Sequence, residues 1–206
     1  MLDVLIVNAL IVDGSGGPPF PGQVGIKDGR IAFVLEQHEF GSSGSSSHGR
    51  SVEQGDDTFP KDEPCRETID AHGLFCCPGF IDIHSHADVT LPLYPEMSNL
   101  IAQGITTFVG GNCGISLAPA SRPDFFQSYW ASLGLSDLPS RWQSFGDWLN
   151  YAKTLPISCN YVPLVGFNAI RGGALGSDFY REATDEEQHI EQILLTHQSK
   201  VVLHAA

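Results

Sequence analysis

From residue 68 onward, runs suited to buried strands alternate with stretches suited to amphipathic helices, and this alternation constrains the fold more than any other feature. "LFCCPGFIDIH" is a continuous apolar run, "PEMSNLIAQG" a short amphipathic helix closed by Gly104, and "ITTFVGG" a β-branched strand. "QSFGDWLNYAKTL" reads as a helix, "SCNYVPLVGF" as a third strand, "TDEEQHIEQILLTHQ" as a helix and "KVVLHAA" as the start of a fourth strand. Thr184 is a good N-cap, and Glu187 three residues on completes a capping box. Strands that alternate with helices predict βα units on a parallel sheet, an α/β fold for residues 70–206.

Residues 2–36 follow a different rhythm, the alternation of half-buried strands. In "QVGIKDGRIAFVL", Val24 and Ile26 precede an Asp28-Gly29 turn, and Ile31, Phe33 and Leu35 follow it, which is a strong hairpin signal. Residues 13–22 are a loop by composition. Residues 1–69 therefore form a small β-rich module. Within it, residues 37–66 are rich in Ser, Gly and acid and almost lack large apolar side chains. Such a segment cannot bury enough surface to offset its ordering entropy, so it is expected to be a mobile insertion with a solvated His48.

A formal net charge of −13 on 206 residues argues against a nucleic-acid partner, which needs a clustered basic face. Much of that charge lies in two local clusters, Glu53 to Glu67 and Asp178 to Glu191, both read as solvated surface. The opening "MLDVLIVNALIV" lacks a basic flank and is too short to span a bilayer, so no membrane role is expected. Five cysteines without a framework spacing predict reduced thiols and a cytoplasmic location.

Chemistry concentrates at "CCPGFIDIHSHADV". Residues i and i+2 of a strand point the same way, so His84 and His86 are expected to share a face with Phe80 and Asp82. Two imidazoles at the C-terminal end of a barrel strand can hold one cation; two surface histidines are the plain alternative. The next strand ends in "GGNCG", and neighbouring parallel strands lie about 4.8 Å apart, which places Cys113 beside the pair. A thiolate there suits zinc, and the glycines let the backbone curl around it. Cys113 can also be read as a buried thiol or as a nucleophile activated by an imidazole. Two histidines side by side favour the ligand. Asp82 and Asp88 are candidate partners for the histidines, Cys76 and Cys77 are read as space-filling, and Trp130, Trp142 and Trp148 as core.

"PGFIDIHSHADV" followed by "MSNLIAQGITTFVGGNCGISLAP" resembles the N-acyl-D-amino-acid deacylases, or D-aminoacylases, of the amidohydrolase superfamily. The likeness continues through "SFGDWLNYAKTL" and "NYVPLVGFNAIRGGALG", and GNCG is its most specific element. The resemblance implies a (β/α)8 TIM-type barrel, of which three to four units would be present, preceded by a small N-terminal β-sandwich module. It implies zinc, and metal-assisted hydrolysis of the linear amide of a small N-acyl-D-amino acid. Carried over, the H-x-H ligands fall on His84 and His86, and the family's bridging cysteine ligand falls on Cys113.

The sequence departs from the family pattern at Phe167, where histidine often follows "LVG". By the same resemblance two further histidine ligands and a general-base aspartate lie beyond Ala206, so no catalytic residue is assigned within the chain. His38, His72, His189, His197 and His204 do not match them. The leading expectation is a zinc amidohydrolase segment that does not turn over by itself and tends to self-associate through open barrel edges. The alternatives are an inactive zinc-binding fragment and a cysteine hydrolase using Cys113.

Overall fold

The computed structural model describes residues 1–37, 64–137 and 141–202. The expected mobile insertion therefore lies almost wholly outside the described residues, as do His38, His48 and His204. The chain forms two compact units, Met1–Pro78 and Gly79–Ala206.

The first unit is a five-stranded sheet. Strands β1 (Leu2–Ile11), β2 (Phe20–Lys27) and β3 (Arg30–Glu36) form an antiparallel meander, while β4 (Cys65–Asp70) and β5 (Phe75–Cys76) both pair in parallel with β1. The β2–β3 turn is Asp28-Gly29, with φ values of 51° and 71°. A two-residue turn with both φ positive matches the twist of the flanking strands, which is why Asp-Gly marks it. Ala9, Ile11 and Val24 form the buried cluster of this sheet.

Two readings of the sequence change here. Cys65 and Arg66 belong to β4, where Cys65 pairs with Leu2, so the insertion ends before them. "LFCCPGFIDIH" is not one buried strand, because Phe75–Cys76 pairs with β1 and the chain then breaks at Pro78. The division thus falls at Pro78/Gly79 rather than after residue 69. Cys76 is half-buried and Cys77 exposed, so the pair does not fill a core.

The second unit is a parallel three-stranded sheet in the order β6 (Phe80–Asp82), β7 (Ile105–Gly110), β8 (Asn160–Pro163). Short helices α1 (Ala87–Thr90) and α2 (Ser98–Ile101) connect β6 to β7. Helices α3 (Pro123–Ser132) and α4 (Phe145–Ala152) connect β7 to β8, and α5 (Phe167–Leu175) and α6 (Asp185–Val202) follow. This is the α/β alternation expected from the sequence.

One face of the sheet is covered. Phe108 is 0% exposed and stacks on Tyr161 at 4.8 Å, and Trp130, Trp142 and Trp148 are buried with them. On the other face Ile81 is 65% and Val162 45% exposed. Aligned pairs of strands alternate their side chains, so one apolar row packs on helices and the next faces outward.

Helix starts follow their caps. Ser144 Oγ accepts from the Asp147 amide while Asp147 accepts from the Ser144 amide, which closes the first turn of α4. The expected Thr184–Glu187 box opens α6, with the Thr184 amide donating to Glu187 Oε2 at 2.9 Å. That helix runs to Val202, so residues 200–202 do not begin a strand. No Gly or Pro interrupts Asp185–Val202, and an established helix propagates readily until a breaker stops it.

Candidate metal centre

The geometry begins at the end of β6. Asp82 Oδ1 accepts a hydrogen bond from the His84 amide at 3.1 Å, which withdraws that donor from the ladder and turns the chain. His84 therefore lies in a bend, and His86 occupies the residue before α1 with φ −112° and ψ 16°. The two imidazoles converge with centroids 5.9 Å apart and planes 66° apart. The expected shared strand face is not the cause, because the strand ends at Asp82; a bend brings the rings together instead.

Cys113 arrives from β7. The loop after Gly110 takes left-handed φ values of 84° at Gly111, 54° at Cys113 and 75° at Gly114, with Asn112 between the first two outside that region. For Cys113 that conformation is strained, by about 1–2 kcal/mol. Such strain persists where surrounding contacts fix it. A Cβ on Gly114 would meet Asn168, whose Nδ2 donates to the Cys113 carbonyl at 3.2 Å. The outcome is a thiol at the rim of the sheet, with Sγ 3.1 Å from His84 Nε2.

Besides the His84–Cys113 contact, three hydrogen bonds join the two segments. The Ser85 amide donates to the Val109 carbonyl at 3.1 Å, and Asn112 Nδ2 donates to the Ser85 carbonyl at 3.3 Å. The third runs from the Gly111 amide to Asp88 Oδ2 at 3.0 Å. Asp88 is 1% exposed, and burial pushes its carboxyl up to about 7 despite the Gly111 amide that favours its charged form. Its other oxygen, Oδ1, is buried without a hydrogen-bond partner among the described residues. Sequence reasoning singled out Asp82 and Asp88 as partners of the histidines, whereas Asp82 holds the His84 backbone amide and Asp88 the Gly111 amide; it missed Asn112 and Asn168. Asn112 stands inside GNCG and was there to be read; Asn168 carries no local signal.

One ligand atom each from His84, His86 and Cys113 lies within 4.8 Å of the others, and all three residues are exposed. On one tetrahedral zinc such atoms stand about 3.3–3.7 Å apart, given the usual Zn–N and Zn–S lengths. Two imidazoles and a thiolate are a donor set that suits zinc. The donor chemistry fits zinc, and the spacing lies within about an ångström of that range. Elsewhere, His72 lies in the first unit beside Asp70, and His189 is exposed on α6. No helix among the described residues is long and apolar enough to cross a membrane.

No protein-family model matches the chain. Individual relatives do. The chain is 38% identical to an N-acyl-D-aspartate deacylase of Alcaligenes xylosoxydans xylosoxydans, covering 94% of this chain and 34% of the relative. It is 33% identical to a D-aminoacylase of the same organism, covering 90% and 33%. Among solved structures, the N-acyl-D-glutamate deacylase of Bordetella bronchiseptica, complexed with zinc and a phosphonate mimic of the tetrahedral intermediate, superposes with a TM-score of 0.71. That match has 29% identity and covers 96% of this chain and 36% of that one. A D-aminoacylase with a binuclear metal centre gives 0.71 at 32% identity, over 94% and 35%. The fold and the sequence thus define an amidohydrolase-type α/β protein. The chain's relatives are N-acyl-D-amino-acid deacylases and D-aminoacylases, and it spans about a third of the length of those it matches.

Proposed function

We propose that the chain is the metal-binding part of a zinc-dependent amidohydrolase acting on a small N-acyl-D-amino acid, with His84, His86 and Cys113 as ligands. The observation that carries this reading is the convergence of these three donors within 4.8 Å from two separate segments. Zinc in such a set is a Lewis acid toward an amide carbonyl and lowers the pKa of a bound water. The chain's own residues hold that position open: the three donors are exposed, while Asp82, Asp88 and Asn112 fix the backbones that carry them.

The reading extends to the fold. The parallel sheet β6–β7–β8 corresponds to three βα units of a larger barrel, and the N-terminal sheet to one layer of a sandwich. Relatives about three times as long supply the support, because their remaining length would provide the other units, the further histidines and the general-base aspartate. On its own the 206-residue chain binds metal and does not turn over.

Cys113 as a nucleophile is the second reading, favoured by the 3.1 Å contact with His84 Nε2. Such a base needs a third group to orient it. Among the described residues Cys113 is the only hydrogen-bond partner of the His84 ring. Metal analysis of the purified chain decides between the two. About one zinc per chain, lost in Cys113→Ala and in His84→Ala, supports the ligand reading. Absence of bound metal, with Cys113 acylated by an N-acyl-D-amino ester, supports the nucleophile.

A further inference from the structure

We propose that Asp88 is a positioning residue for the metal centre: its buried carboxylate grips the Gly111 amide and so fixes where the Cys113 thiol stands relative to His84 and His86. The proposal rests on the reading that these three residues bind a metal.

Asp88 follows His86 by two positions, and Gly111 precedes Cys113 by two. A single hydrogen bond of 3.0 Å therefore ties the residue two beyond His86 to the residue two before Cys113. Two further backbone-anchored bonds end on Ser85, one to the Val109 carbonyl and one from the Asn112 side chain, and neither engages the Gly111 amide. Gly111 is where the chain enters that turn, with φ 84°, so fixing its amide fixes the direction of the loop.

The fold makes room for this carboxylate at some cost. A Cβ on Gly110 would lie 2.5 Å from Asp88 Cγ, so the side chain occupies space that only a glycine leaves. Asp88 is 1% exposed, and among the described residues Oδ1 has no hydrogen-bond partner. A buried carboxylate with one unsatisfied oxygen destabilises a fold relative to an apolar side chain of the same shape. Stability alone therefore gives no reason for an aspartate here. Holding the cysteine loop does, since groups that orient metal ligands tune affinity without touching the ion.

The test uses the whole 206-residue chain with cobalt(II) as the probe, whose thiolate charge-transfer absorption reports bonding to Cys113; Cys113→Ala supplies the blank. Asp88→Asn keeps an oxygen acceptor for the Gly111 amide. Asp88→Leu keeps shape and burial and removes the acceptor. Asp88→Ser, too short to reach Gly111, replaces the leucine variant if that one does not fold by circular dichroism. We expect the asparagine variant to bind cobalt within about threefold of the parent. The leucine or serine variant should bind about 10- to 100-fold more weakly and lose charge-transfer intensity. A parent band with unchanged affinity and intensity in the acceptor-free variant overturns the role of Asp88 alone. Equal losses in the asparagine and leucine variants overturn it too, because the acceptor would not be what matters. A parent chain with no thiolate band overturns the metal reading at Cys113 and this proposal with it.

Discussion

Cys113 Sγ stands 3.1 Å from His84 Nε2, although 29 residues separate them in the chain. The contact exists because β6 and β7 are parallel neighbours, paired at Asp82 and Phe108, and each strand is followed at once by a turn. A parallel pair delivers both C-terminal ends to the same edge. Residues that are far apart in sequence then meet without any long loop having to close.

The first prediction concerns the thiol. Metal bound by Cys113 occupies the sulfur lone pair that attacks an alkylating agent. Iodoacetamide should therefore label Cys113 roughly tenfold more slowly in the zinc-loaded chain than after chelation. Cys77, also exposed, is the internal control and should not change. Equal labelling of Cys113 with and without zinc removes it from the ligand set.

Gly111→Ala tests the loop. At φ 84° a Cβ is strained by about 1–2 kcal/mol, and here it would also run into the Leu164 carbonyl. The variant should lose about 2 kcal/mol or more of stability in urea, together with most of its metal binding. Gly134→Ala, at φ 74° with open space around it, should show the strain without the metal effect.

How much of this was legible beforehand differs by element. The donor trio could be read because H-x-H and GGNCG both sit directly after apolar runs, and strand ends are where parallel sheets place exposed groups. The hairpin at Asp28-Gly29 and the Thr184–Glu187 capping box were legible for the same reason, that the cause lies within four residues. What was not legible depends on distant partners. "LFCC" looked continuous with "GFIDIH" because nothing local says that Phe75 pairs with Leu10. The reason for the histidine convergence was also misplaced, since the bend depends on an Asp82 side chain capturing the His84 amide. The end of α6 was missed because Val201 and Val202 favour a strand by propensity, while the helix already running through them decided otherwise.

The core gives a prediction free of metal. Phe108 is fully buried between Tyr161 and the helices. Phe108→Ala should cost about 3–5 kcal/mol in denaturant unfolding, through lost burial and the cavity left behind. Phe108→Leu should cost distinctly less. A loss below about 1 kcal/mol for the alanine variant would mean that this face of the sheet is not the packed one.

Acid should loosen the start of α6. The Arg181 guanidinium, with the Thr184 amide and hydroxyl, holds the Glu187 carboxyl down at about 2, below its ordinary 4.5. A carboxyl depressed in the folded chain contributes stability that is present above 4.5 and is lost as pH falls toward 2. Stability measured from pH 5 to 2 at low salt should therefore drop through that window. Glu187→Gln should flatten the drop, and added salt should shrink the difference between the two chains. Parallel pH curves for both chains would show that the pair contributes nothing.

The uncovered face of the sheet leads to the last prediction. Ile81 on β6 and Ile83 just after it are 65% and 75% exposed, and Val162 on β8 and Leu164 just after it are 45% and 43% exposed. Among the described residues β6 and β8 each pair on one side only, so both present free backbone groups. Apolar side chains beside unpaired strand edges favour pairing with another chain, and a second copy is the partner always at hand. The 206-residue chain should therefore associate as its concentration rises, measured by light scattering after size exclusion. Ile81→Lys with Val162→Lys should shift it toward monomer, because a charge on that face resists burial. The same chain should release no acetate from N-acetyl-D-amino acids above background, since among the described residues no carboxylate joins the three donors to act as general base. Mixing it with the remaining two thirds of a family-length relative should cover the sheet, suppress self-association and restore zinc-dependent turnover. Monomeric behaviour with full activity from the 206 residues alone would mean that this face is covered from within and that the site is already complete.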